Sequence, residues 1–191
     1  MDWMIIVTWL ARLILVILLG MSVYAISIIL ERRDFFKKFS LSHLHQTLLE
    51  LAEKNDYSML KKSLHSDRPF DAQLLMAFDS SDLQTSRSLA RLKYRSAEEG
   101  KVSILGTFGA TAPFIGLLGT VFGIIVAFGE LSSGKVDSNS IMYALAEALI
   151  LTAVGLVVAI PSVMSFNHFS KMLKQERERV SILQDLIKNG Q

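Results

Sequence analysis

The sequence predicts an all-α membrane protein with three transmembrane helices, the second and third of them extended into the cytoplasm. Three observations lead there. Half of the 191 residues (51%) are hydrophobic, and the mean hydropathy is +0.38, too apolar for an ordinary soluble domain of this length. The apolar residues are grouped into long uncharged runs. Crossing a hydrocarbon core of about 30 Å takes roughly 20 helical residues, and three runs meet that length: Leu13 to Leu30, Val102 to Gly129, and Ala148 up to Lys171.

The first element, residues 1–30, is a retained span. Val23-Tyr24-Ala25 offers a passable signal cleavage sequence, but Asp2 is the only charge before Arg12 and the apolar run continues past Ala25. A secretory signal instead has a basic start and an apolar stretch of about 7 to 15 residues. Arg12 lies near the outer end, where it can snorkel to the interface and anchor the helix.

Charge orients the spans, because the cytoplasmic side carries the Lys/Arg excess. Arg32, Arg33, Lys37 and Lys38 follow the first span, and Lys171, Lys174, Arg177 and Arg179 follow the third. Glu130 to Ser140 holds one lysine against Glu130 and Asp137. Hence the N-terminus is expected outside, residues 31–101 in the cytoplasm, the second span at 102–130, an external hairpin at 131–140, the third span at 141–170 and a cytoplasmic tail at 171–191.

Within the cytoplasmic region, Leu41, Leu44, Leu48 and Leu51, then Met59, Leu60 and Leu64, have helical spacing. Ser42 and Asp56 are candidate N-caps, and Arg68-Pro69 is a break. From Asp82, Leu83, Leu89, Leu92 and Ala97 run into Val102 with only Gly100 as a breaker, so one unbroken helix is expected to enter the membrane. In the tail, Val180, Leu183 and Ile187 continue the helical pattern of the third span.

Several function classes are disfavoured. A net charge of +2 with interleaved signs does not point to nucleic acid. The absence of cysteine removes disulfides, Cys-based zinc sites and a Cys nucleophile. His43 and His45, two residues apart, point to different sides of a helix and have no third ligand nearby, so no metal site is expected. Without a Walker loop, nucleophile elbow or H-E-x-x-H, neither an enzyme nor a catalytic residue is expected.

Two stripes of small residues mark the later spans. Gly109, Pro113, Gly116, Thr120, Gly123 and Ala127 are spaced 4,3,4,3,4, and Ala144, Ala148, Thr152, Gly155, Ala159 and Ser162 are spaced 4,4,3,4,3. Each set occupies one helix face. Two readings fit: the faces pack helix on helix, as small residues do in membranes, or they line a cavity holding another transmembrane element, with Thr120 and Thr152 as its polar points. Hydroxyls alone do not decide, since they can bond back to their own helix.

Glu147 is the other feature. A carboxylate within a span costs roughly 2.5 to 3.5 kcal/mol or more and usually faces a bundle interior on an ion path; alternatively, it lies close enough to the external interface for that cost to fall. On an ideal helix it lies about 140° from Thr152, which sets it beside a threonine-lined wall rather than in it.

The stretch Ser103 to Asn167 resembles the MotA/TolQ/ExbB proton channel family. The resemblance rests on Pro113-Phe114-Ile115-Gly116-Leu117-Leu118-Gly119-Thr120-Val121-Phe122-Gly123-Ile124, on Ala146-Glu147-Ala148-Leu149-Ile150-Leu151-Thr152-Ala153-Val154-Gly155-Leu156, and on Ala159-Ile160-Pro161 and Asn167. Three spans fit TolQ and ExbB rather than MotA, which has four, and the first span with its preceding Arg12 looks more like TolQ of the Tol-Pal system. The resemblance implies a ring-shaped homo-oligomer, a pentamer, in the bacterial inner membrane. Its pore would hold the helices of a dimeric single-span TolR/ExbD-type protein, with a TolA/TonB-like periplasm-spanning protein as a further partner. It also implies no cofactor beyond the proton gradient. Matched by position, Thr120 and Thr152 correspond to the family's pore-lining threonines and Glu147 to its third-span glutamate. Two rivals stand beside this: a non-conducting membrane scaffold, and a secondary transporter, for which inverted repeats and broken helices are lacking.

Overall fold

The structure, a computed structural model, describes residues 2–39, 64, 66, 69–79, 88, 99–132 and 138–189. Every regular element of more than one residue among them is helical: α1 (Asp2–Phe39), α2 (Pro69–Asp79), α3 (Val102–Ser132) and α4 (Ser138–Asn189). Three of these helices are long and apolar enough to cross a membrane, so the chain is a multi-pass membrane protein. In hydrocarbon every backbone N–H and C=O must be satisfied within the element, which selects helices for these runs. The candidate caps Ser42 and Asp56, the two histidines and the leucines from Leu41 to Leu60 lie outside the described residues, as do Leu83, Leu89, Leu92 and Ala97.

The chain forms two compact units. One comprises Met1–Ile29 with Ser103–Asn167, the other Leu30–Val102 with His168–Gln191.

In the first unit, α1 buries Ile14, Leu18, Ala25 and Ile28, which recur along one side of the helix. Ile14 and Leu18 join Ala112, Leu151, Val158 and Ala159 in a common core. The first span therefore packs one face on the other two. Its remaining surface is bare and apolar: Val16, for instance, is 65% exposed. Both later spans carry an internal proline, Pro113 in α3 and Pro161 in α4. Each removes one ladder hydrogen bond, and a membrane bundle tolerates this where neighbouring groups take up the freed carbonyl.

In the second unit, α2 begins on Pro69, whose missing N–H costs nothing in a first turn, and buries Phe70 and Leu74 completely. Phe36 stacks on Phe169 with centroids 5.6 Å apart and planes 7° from parallel, and Phe35 lies edge-on to Phe70. Gln184 Nε2 donates to the Gln73 carbonyl at 2.9 Å, Arg177 pairs with Glu99 at 2.6 Å, and Lys101 pairs with Glu31. Three charged groups are buried here: Arg32 at 5%, Asp71 at 1% and Glu176 at 3% exposure. Arg179 bonds Glu176 at 2.8 Å, and the Arg32 guanidinium carbon sits 5.2 Å from the Phe35 ring centroid.

One expectation is corrected. Gly100 and Lys101 form a turn and α3 starts at Val102, so the second span does not continue as an unbroken helix from Asp82 into the cytoplasm. Glycine costs about 1 kcal/mol relative to alanine inside a helix, and apolar spacing alone does not overcome that at this position. The third span does run on: α4 has 52 residues, about 78 Å at 1.5 Å per residue, well beyond the bilayer core.

Candidate functional site in the membrane unit

The small residues of α3 and α4 meet one another. A β-carbon built on Gly116 would lie 2.8 Å from the Leu151 carbonyl oxygen and 3.0 Å from the Thr152 Cα; one built on Gly155 would lie 2.7 Å from the Ala112 carbonyl oxygen. Along the same seam, Gly109 abuts Val163, Gly119 abuts Leu151 and Gly123 abuts Ala148. No side chain fits between the two backbones at Gly116 and Gly155. Dispersion between closely apposed backbones is the main attraction available where lipid tails are as apolar as leucine. Ala159 is buried near this seam, and Pro113 is half-buried.

The two threonines sit differently. Thr120 is 8% exposed and its Oγ1 donates to the Leu117 carbonyl at 2.7 Å, so its hydroxyl is spent on its own helix. Thr152 is half-buried, and its Oγ1 is buried without a hydrogen-bond partner among the described residues. Leaving such a hydroxyl unpaired costs about 1 to 3 kcal/mol. The Thr152 hydroxyl is therefore poised to accept a partner that the described residues do not supply.

Glu147 is exposed on the side of α4. It lines an open crevice with Ala144, Ala148 and Leu151 of its own helix, Gly123 and Val126 of α3, and Thr8 and Ala11 of α1. The crevice shares Gly123, Ala148 and Leu151 with the α3–α4 seam and lies towards the N-terminal ends of α1 and α4. The sequence reading missed Thr8 and Ala11. Both precede the long uncharged run and carry no motif; only the pairing of α1 with α4 brings them to the carboxylate. Arg12, one residue on from Ala11, is exposed, with its guanidinium carbon 6.0 Å from the Trp9 ring centroid. Such an arrangement suits an interfacial anchor.

A model of the MotA/TolQ/ExbB proton channel family matches residues 55–182, about two thirds of the chain and including the seam, both threonines and Glu147. The chain belongs to this family. Among curated members, it is 31% identical over 187 residues to the Tol-Pal system protein TolQ of Haemophilus influenzae, an alignment covering 83% of this chain and 78% of the relative. It is 50% identical over 72 residues to the biopolymer transport protein ExbB of Xanthomonas campestris pv. campestris, covering 37% of this chain and 28% of that protein. With the ExbB of Pseudomonas putida it shares 40% identity over 79 residues, 41% of this chain and 24% of the relative. The chain thus aligns with about a quarter of the length of these two ExbB relatives and most of the length of the TolQ one. Within the MotA/TolQ/ExbB family, both TolQ and ExbB names occur among its relatives.

Proposed function

We propose that this chain is the channel and stator subunit of an inner-membrane motor, which uses the proton motive force to drive a dimeric single-span TolR/ExbD-type partner and so energise an envelope process. The observation that carries the proposal is Glu147, a carboxylate left exposed on a membrane-spanning helix. Lipid is a costly neighbour for such a group, by roughly 2.5 to 3.5 kcal/mol or more. Such a group usually faces a bundle interior or a water-filled path instead, which is what a channel subunit needs.

In this reading the copies form a ring, a pentamer, around the partner's helices. The N-terminus and the hairpin face the periplasm, and the second unit faces the cytoplasm with the basic flanks. Protons pass between the ring wall and the partner. The Thr152 hydroxyl, which has no partner among the described residues, offers a relay, Thr120 lies one helix away, and Glu147 sets the local charge. One charge crossing 100 mV releases about 2.3 kcal/mol, so several protons are needed per mechanical step. A TolA/TonB-like periplasm-spanning protein then carries the motion outward. No metabolite is turned over.

A second reading, a scaffold that does not conduct, is favoured by one observation: the small faces are already occupied by α3–α4 packing. Thr152→Ala and Glu147→Ala separate the two. The motor reading expects both variants to assemble with the single-span partner and to lose the envelope process that depends on it. Normal assembly with a normal dependent process would leave the scaffold.

A further inference from the structure

The crevice at Glu147 has properties that the channel reading does not use. It has a cavity volume of ≈ 40 Å³, open to the surroundings, with one carboxylate, one hydroxyl and otherwise small or apolar walls. Ala11, Gly123, Ala144 and Ala148 leave the space that larger side chains would fill. Since about 10 to 15 Å³ of such space holds one water, it has room for a few. Its floor is Leu151, which is 4% exposed and belongs to the core shared with Ile14 and Leu18. Along the helices Thr8 is the lining residue nearest the N-terminal end of α1, and Leu151 is the one furthest along α4.

We infer that this crevice, formed within one subunit by α1, α3 and α4, is a hydrated access vestibule through which protons from the outer solution reach Glu147, with Thr8 as a positioning residue for the water and Leu151 as the seal. The inference rests on the channel reading and adds a role for the first span, which the two threonines and Glu147 leave without one. The step is a proton transfer and balances without any redox partner. A hydronium in the vestibule gives its proton to the Glu147 carboxylate and leaves as water, and the protonated Glu147 later gives that proton to a carboxylate of the single-span partner, which becomes the neutral acid. Thr8 Oγ1 can both donate and accept, so it can hold the water in line with the carboxylate. Leu151 excludes a continuous water column along α1, so the route from Glu147 leads away from α1 rather than straight through the subunit.

The chain contains no cysteine, which makes single-cysteine scanning of the full chain in complex with its partner direct. A small hydrophilic thiol reagent added from the outer side reacts with a hydrated thiol, because the reagent needs the thiolate and apolar surroundings suppress it. The expected result is modification of Ala11→Cys and Ala144→Cys roughly tenfold faster than of Leu151→Cys or of Val16→Cys, which lies on bare apolar surface. In proteoliposomes, Thr8→Val should lower the proton flux about fivefold, the equivalent of one net hydrogen bond, and Thr8→Ser should restore it. Slow modification at Ala11→Cys and Ala144→Cys, or wild-type flux in Thr8→Val, overturns the vestibule while leaving the channel intact. Unchanged flux in Glu147→Gln overturns the channel reading and the vestibule with it.

Discussion

Gly155 on α4 and Gly116 on α3 lie in backbone contact: a β-carbon on Gly155 would come within 3.2 Å of the Gly116 Cα and 2.7 Å of the Ala112 carbonyl oxygen. At this crossing the two spans are as close as peptide chains can be, and the geometry of Glu147 and Thr152 depends on it.

A larger residue there must force the helices apart. Gly155→Leu is expected to destabilise the purified protein by about 1 to 3 kcal/mol, the usual cost of overpacking, seen as a lower thermal midpoint in detergent. The same change at Gly20 of α1, where nothing lies within 4 Å of an added β-carbon, should leave the midpoint in place.

Thr152→Val separates stability from transport. The substitution keeps the shape and deletes a buried hydroxyl that has no partner, so the thermal midpoint should hold or rise while proton flux falls. Thr120→Val deletes a hydroxyl already bonded to the Leu117 carbonyl and should cost no more than about 1 kcal/mol. A drop in the midpoint for Thr152→Val would mean that its hydroxyl is satisfied after all.

The second unit makes its own prediction. Phe36, 3% exposed and stacked on Phe169, should cost about 3 to 5 kcal/mol when truncated to alanine, read as faster limited proteolysis of that unit. Phe114→Ala, on a side chain 71% exposed in the single chain, should leave proteolysis unchanged. Arg177→Ala breaks a half-exposed ion pair with Glu99 and should cost below about 1 kcal/mol.

Much of this was legible in the residues before any coordinates. Three uncharged runs led to three long apolar helices because a bilayer leaves the backbone no alternative to internal hydrogen bonds. The spacing of Gly109 to Ala127 and of Ala144 to Ser162 identified thin faces. Periodicity defines a face but not what it meets, and only the coordinates place Gly116 against Leu151 and Thr152. The role of α1 was hidden, since a helix apolar nearly all round has no stripe to show which side is covered. The turn at Gly100 was overridden by apolar spacing that continued across it. The burial of Arg32 and Glu176 was equally hidden, because in sequence each reads as one more charge in a solvated flank.

The central claim is that this subunit conducts protons together with its single-span partner and needs Glu147 to do so, and proton uptake by vesicles containing both, driven by an imposed membrane potential, tests it most directly. The account expects uptake that collapses in Glu147→Gln with the complex still assembled. Wild-type uptake in that variant, or no uptake by the intact complex, would contradict it.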